Sequence, residues 1–158
     1  MIRGVGAAAV VASGLVLLLA VGPARAELAP RGIDVRVPDH LAVTVGASAS
    51  LEISIAVDRG LVVSKDAPVI VDVAGGPGIA IKKHRLGRTD AVDPGADAPR
   101  FALPTRGEVA GDTTVDLRIR LWLCGGRICR PVDVRRRVQV AVIATDPATV
   151  APPPPPPP

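Results

Sequence analysis

Cys124 and Cys129 are the only two cysteines in this 158-residue chain, and four residues lie between them in Cys124-Gly125-Gly126-Arg127-Ile128-Cys129. Thiols this close have two uses: a disulfide that staples a turn, or a pair that cycles between dithiol and disulfide and exchanges electrons with another thiol. Around them stand Trp122, the only tryptophan, and Arg120, Arg127 and Arg130. Cationic neighbours favour thiolate, the form that attacks a disulfide. Loop length speaks modestly for the same use. Closing so short a loop restricts the unfolded chain by about 2 kcal/mol, against nearly 5 kcal/mol for a long one, so a bridge kept for stability alone would do better between distant strands.

The residues on either side indicate what must position the pair. Val115, Leu117, Ile119, Leu121 and Leu123 share one parity, and Val132, Val134, Val138, Val140 and Val142 share another, as in two strands with one buried face each. A register that sets Cys124 opposite Cys129 brings Leu121 against Val132, Ile119 against Val134 and Val115 against Val138. On the outer face it brings Arg120 against Asp133, Asp116 against Arg137 and Trp122 against Pro131, so two opposite charges meet across the strands. Both cysteines then face outward, beside Arg120, Arg127 and Arg130. The same register sets Arg118 against Arg135 and turns Arg136 inward opposite Leu117; a bulge within Arg135-Arg136-Arg137 would relieve both conflicts.

Alternation runs through the rest of the domain. Ile33 to Val37, Leu41 to Val45 and Leu51 to Val57 have period two, and Val69 to Val73 is rich in β-branched residues. Gly75-Gly76-Pro77-Gly78 forces a turn before Ile79-Ala80-Ile81, and a looser stretch from Arg85 to Pro104 follows, rich in Asp, Pro and Gly. This pattern predicts an all-β, antiparallel, immunoglobulin-like sandwich of seven or eight strands ending in a cysteine-tipped hairpin.

The ends read differently. Arg3, an apolar run from Val5 to Val21, a Gly22-Pro23 break and Ala24-Arg25-Ala26 form the pattern of a cleaved export signal over 1–26. The sandwich domain is expected over 27–145, and a disordered proline-rich tail over 146–158, closing in the run Pro152 to Pro158. Export places the cysteines in a periplasmic or other extracytoplasmic compartment that permits a disulfide. Without Arg3 and Arg25, 17 of the 19 Lys and Arg residues face 15 acids, a net charge of +2, and no further membrane span follows the signal. With one Phe, one Trp and no Tyr there is almost nothing for bases to stack on, which argues against nucleic-acid binding.

A strand ending in an aromatic residue and a cysteine, a short loop, a second cysteine and a valine-rich strand resemble the amino-terminal domain of the bacterial thiol:disulfide interchange protein DsbD. They are equally similar to the β-domain at the carboxy-terminal end of some NHL-repeat, thioredoxin-bearing proteins. Lys65-Asp66-Ala67-Pro68 ahead of a strand is similar to the Asn/Asp-Ala-Pro segment of the latter. The resemblance spans roughly residues 33–143 and implies an immunoglobulin-like fold in which Cys124 and Cys129 cycle between dithiol and disulfide. The chain departs from the DsbD domain in its shorter loop and its lack of tyrosine, which leaves Trp122 or Phe101 to cap the cysteines. With no thioredoxin-like portion, it would take electrons from a separate thioredoxin-like or membrane thiol reductase protein.

Other chemistry has weaker support. His40 and His84 lack the paired spacing of a zinc site with the cysteines. Asp90, Asp93 and Asp97 lack the loop pattern of an EF-hand, and no nucleophile elbow surrounds Ser64, so no metal and no cofactor is expected. Two functions remain open: an exported thiol–disulfide exchange domain working through a Cys-x4-Cys hairpin, or a non-enzymatic β-sandwich adaptor or envelope protein with a structural hairpin disulfide.

Overall fold

Alternation in the sequence becomes alternation in burial in the computed structural model, which describes residues 30–145. The expected signal (1–26) and tail (146–158) lie outside the described residues. Among the described residues ten strands form two sheets. The first contains, in spatial order, β1 (Ile33–Arg36), β3 (Ser48–Val57), β8 (Arg100–Gly107) and β6 (Ile79–Ile81). The second contains β2 (His40–Thr44), β10 (Ile128–Ile143), β9 (Gly111–Gly125), β5 (Ile70–Gly75) and β7 (Arg85–Gly87), with β4 (Leu61–Val63) against the end of β9. Among the described residues no helix is long and apolar enough to cross a membrane.

Taken in chain order, β1, β3, β5, β6, β8, β9 and β10 reproduce strands A to G of an immunoglobulin constant-type domain: A-B-E-D in one sheet and C-F-G in the other. The expected immunoglobulin-like sandwich is therefore present, with β2, β4 and β7 as additions. β2 runs parallel to β10 from Gln139 to Ile143. In antibody domains a disulfide links strands B and F across the core. Here the bridge lies within the hairpin of F and G, so the packing of the two inner faces is not reinforced by a disulfide.

That packing is aliphatic. Leu51, Ile53, Leu103, Val71, Val115, Leu117, Ile119 and Val138 are buried between the sheets around Phe101, which is fully buried opposite Ile53. Phe101 is thus a core residue and not a cap over the cysteines. Its strand, β8, begins inside the looser stretch from Arg85 to Pro104, whose Asp, Pro and Gly mask the alternation that burial follows from Arg100 to Gly107. β6 pairs only with Thr105 to Gly107, so β8 has an unpartnered side at Pro104, where a missing N–H is tolerated.

The β9–β10 register is the one that charge and parity indicated, unbroken from Gly125 opposite Ile128 to Gly111 opposite Val142. Gly126 (φ 59) takes the first central position of the two-residue turn, a left-handed conformation that glycine adopts freely. No bulge interrupts Arg135-Arg136-Arg137. Arg136 keeps its inward parity opposite Leu117, and its long stem carries the guanidinium out to the edge of the sandwich. There Nε donates to the carbonyl of Val35 in β1 at 3.0 Å and Nη1 to the carbonyl of Arg135 at 2.9 Å. The edge is open here because β2 covers β10 only from Gln139 onward, so a charged head inside the register still finds acceptors.

Candidate functional site

Cys124 and Cys129 are joined by a disulfide, with a Cα–Cα distance of 4.0 Å and a sequence separation of 5. They end a long two-stranded arm on the outer face of the second sheet. Cys124 is half-buried, flanked by Cys129 on one side and by Val62 of β4 on the other, whereas Cys129 is exposed. β4 is held against this end of the arm by the amide of Ser64, which donates to the carbonyl of Trp122 at 2.9 Å. Trp122 is 41% exposed and lies opposite Pro131, as the register requires.

The arginines do not gather around the sulfurs. Arg120 is opposite Asp133 in the backbone register, yet its Nη2 donates to Asp72 of β5 at 2.5 Å. Asp72 also accepts from Arg85 Nε at 2.7 Å, and these two cations, Arg85 foremost, hold its carboxyl below the ordinary aspartate value. Asp133 pairs diagonally with Arg118, accepting from its Nη2 at 2.6 Å; this lowers the carboxyl and raises the guanidinium. The diagonal contact also relieves Arg118 of its repulsion with Arg135 opposite it. Arg137 pairs with Asp116 as expected, donating from Nε at 2.6 Å.

Arg130 corrects the expected cluster most directly. It has the inward parity of Val132 and Val134, opposite Leu123, so it leaves the sheet on the face away from the disulfide. Its Nη2 donates to the carbonyl of Arg31. Among the described residues at the tip, only Arg127, exposed in the turn, remains free. The expectation that three arginines surround the sulfurs fails because parity separates Arg130 from Cys129 and because Asp72, distant in sequence, claims Arg120.

Two features were not foreseen. Pro68, Ile70, Trp122 and Pro131 line a groove of about 390 Å³ on the outer face, with Arg120 and Asp133 at its polar side. Pro68 and Ile70 arrive from the start of β5, whose place beside β9 no local pattern discloses. Arg88, in the 3-10 turn Arg88–Asp90, donates to four carbonyls: Pro94 and Ala96 from Nη1, Val63 and Ser64 from Nη2. It ties the 91–99 loop to the end of β4, and so indirectly to the cysteine arm.

The remaining candidates are dispersed. His40 begins β2 opposite Gln139, and His84 Nδ1 lies 3.3 Å from the Val73 carbonyl, both away from the cysteines. Asp90 accepts from Lys83 Nζ, Asp93 from the Gly95 amide, and Asp97 pairs with Lys65. Ser64 Oγ accepts from the Ala67 amide. Among the described residues, no group of three or more His, Cys, Asp or Glu is placed to share a metal ion.

No family model and no curated protein matches the chain. Several solved structures are similar to the chain at low identity and low TM-score. Domains 4 and 5 of the S-layer protein SbsC are 16% identical, over 70% of this chain and 45% of that one, with a TM-score of 0.40. A cohesin module from a Clostridium perfringens family 33 glycoside hydrolase is 11% identical, over 72% of this chain and 97% of that one, at 0.38. The CooA pilin subunit from enterotoxigenic Escherichia coli is 10% identical, over 70% and 98%, at 0.33. The immunoglobulin-like assignment therefore rests on this chain's own strand order.

Proposed function

We propose that this protein is an exported, non-enzymatic β-sandwich adaptor whose hairpin disulfide is structural and whose outer sheet face, beside Trp122, engages a partner. One observation carries the reading: the cations that would favour a thiolate are engaged elsewhere, Arg120 with Asp72 and Arg130 with the carbonyl of Arg31 on the opposite face. What remains is a bridge that closes the end of a continuous ladder, in a compartment where disulfides persist. The periplasm or another extracytoplasmic space fits both the bridge and the signal-like start.

A second reading, thiol–disulfide exchange of the DsbD kind, is favoured by the exposure of Cys129. A thioredoxin-like or membrane reductase thiolate would attack Cys129 Sγ, with Cys124 leaving as thiolate. A second thiol of that partner would then resolve the mixed disulfide, leaving the partner oxidised and this pair reduced. Trp122 would act as a partial lid over the exchange, with Arg127 as the one cation left near it.

Redox titration of the mature chain distinguishes the two. A structural bridge should have a potential below about −300 mV, whereas an exchanging pair belongs near −180 to −270 mV. A potential in the upper range, together with a partner trapped on Cys129 in the Cys124→Ser variant, overturns the adaptor reading.

A further inference from the structure

The second sheet stops short along one side of β10. There the Gln139 amide donates to the Asp39 carbonyl at 3.0 Å, and the Ile143 carbonyl accepts from the Val45 amide at 2.9 Å. Odd-numbered residues of β10 therefore turn both backbone groups toward the side of β2, and the unbroken ladder with β9 carries that parity down to Cys129. Among the described residues, no strand pairs with this side from Ile128 to Val138. The groups left along it belong to Cys129, Pro131, Asp133, Arg135 and Arg137. At Pro131 the missing N–H would have pointed outward, so the proline costs the β9 ladder nothing.

Sheet edges are commonly blunted by proline and by charge, and a run of one sign would repel every neighbour. This edge carries both signs. Across the outer face Arg118 pairs with Asp133, Arg120 with Asp72 and Arg137 with Asp116. Arg135 is exposed, has no acid partner among the described residues and stands opposite Arg118. The strand that fits would set a carboxylate beside Arg135 and a cation beside Asp133. Asp133 and Arg135 are themselves that pair.

We propose that the open edge of β10 pairs antiparallel with β10 of a second copy, about a two-fold axis beside Val134. Asp133 then lies opposite Arg135 of the other copy, and Arg135 opposite its Asp133, each as a hydrogen-bonded pair. Pro131 lies opposite Arg137 and accepts from its amide, giving about six backbone bonds across the axis. The Arg135 carbonyl already accepts from Arg136 Nη1 and keeps a second lone pair for the other copy. Moving the axis one residue destroys the match. At Asp133 it sets that carboxylate against its own copy. At Arg135 it sets two guanidinium groups together and calls on the Gln139 amide, which Asp39 already holds. The contact is isologous and stops at two copies. It also joins the two outer faces, so that both Trp122 grooves open on the same side of one sheet.

Charge exchange across the axis tests this. Sedimentation of the mature chain up to about 1 mM should show the mass of one copy rising to that of two and no further. Asp133→Arg places cations on both sides of each pair, and Arg135→Asp places carboxylates there, so each variant alone should remain monomeric. Mixed in equal amounts, they should form a heterodimer, because every opposed pair then carries opposite charges. The double variant with both changes should dimerise by itself, with Arg118 finding its carboxylate directly opposite instead of on the diagonal. Circular dichroism identical to the parent's shows that each variant is folded. Hydrogen exchange supplies a readout of the backbone. The Asp133, Arg135 and Arg137 amides should slow about tenfold or more on dimerisation, whereas those of Val132 and Val134, directed at β9, should be protected in both states.

A constant monomer mass in the parent chain overturns the proposal. So does a dimer that persists in both single variants, which would place the contact on another surface. A dimer whose Asp133, Arg135 and Arg137 amides exchange as fast as the monomer's overturns the edge pairing. The proposal goes beyond the adaptor reading and stands apart from it, since the redox potential decides that reading and the mass decides this one.

Discussion

Replacing both Cys124 and Cys129 with serine should cost the domain about 2 kcal/mol and leave its fold intact. The magnitude follows from the sequence separation of 5, since the chain-entropy gain of a bridge grows with the logarithm of the loop and this loop is near its minimum. Nothing on the native side adds much to it. Beneath the bridge, Leu121, Leu123 and Val132 stay buried, and the register continues for the length of both strands. Cys129 is exposed, so a serine hydroxyl there remains hydrated. By linkage the same energy sets the reduction potential of the folded pair about 40 mV below that of the unfolded chain, since 30 mV corresponds to 1.4 kcal/mol. Urea unfolding followed by circular dichroism, on the oxidised, reduced and double-serine proteins, should show the last two together, with midpoints lower by about 1 M. A loss above about 4 kcal/mol, or failure of the variant to fold, would mean that the bridge carries tertiary structure and that the local-loop reasoning is wrong.

Arg88→Lys should destabilise the protein by about 2 kcal/mol, because a compact ammonium cannot serve four carbonyls and hydrogen bonds to charged groups are the stronger kind. Hydrogen exchange should show the loss locally at the Val63 amide, which donates to the Asp97 carbonyl; unchanged protection there would remove the latch from the account. Stability should also fall in acid through Asp72. Arg85 and Arg120 hold its carboxyl below the ordinary value, so the unfolded chain binds the proton more tightly. The contribution is complete above about pH 4, the unfolded value, and is lost as pH falls through the lower folded one. Asp72→Asn should flatten this acid limb in urea midpoints measured across pH, and an unaltered slope would show that the Arg85–Asp72–Arg120 triad does not form in solution.

The hairpin was legible in the sequence because its determinants are local. Two strands joined by a two-residue turn have their register set by the turn and by period-two alternation, and shifting it by one residue would expose every valine. The backbone pairing of Arg120 with Asp133 and of Asp116 with Arg137 followed from that, as did the disulfide reach of Cys124 and Cys129. Backbone opposition does not choose side-chain partners, however. Arg118 took Asp133 on the diagonal, Arg120 took Asp72 from a strand 48 residues away in sequence, and Arg136 stayed in register because an open edge let it reach Val35.

Sequence alone thus determined the all-β class, the final hairpin and its outward cysteines, since alternation and turn chemistry act between near neighbours. The tertiary structure decided which strands lie side by side, and with them the site. Only the placement of β5 against β9 brings Asp72 to Arg120 and sets Pro68 and Ile70 beside Trp122. Only the pairing of β8 with β3 turns a proline-interrupted stretch into the strand that buries Phe101. These are long-range contacts, made because two inner faces must be covered together, and no window along the chain contains both partners.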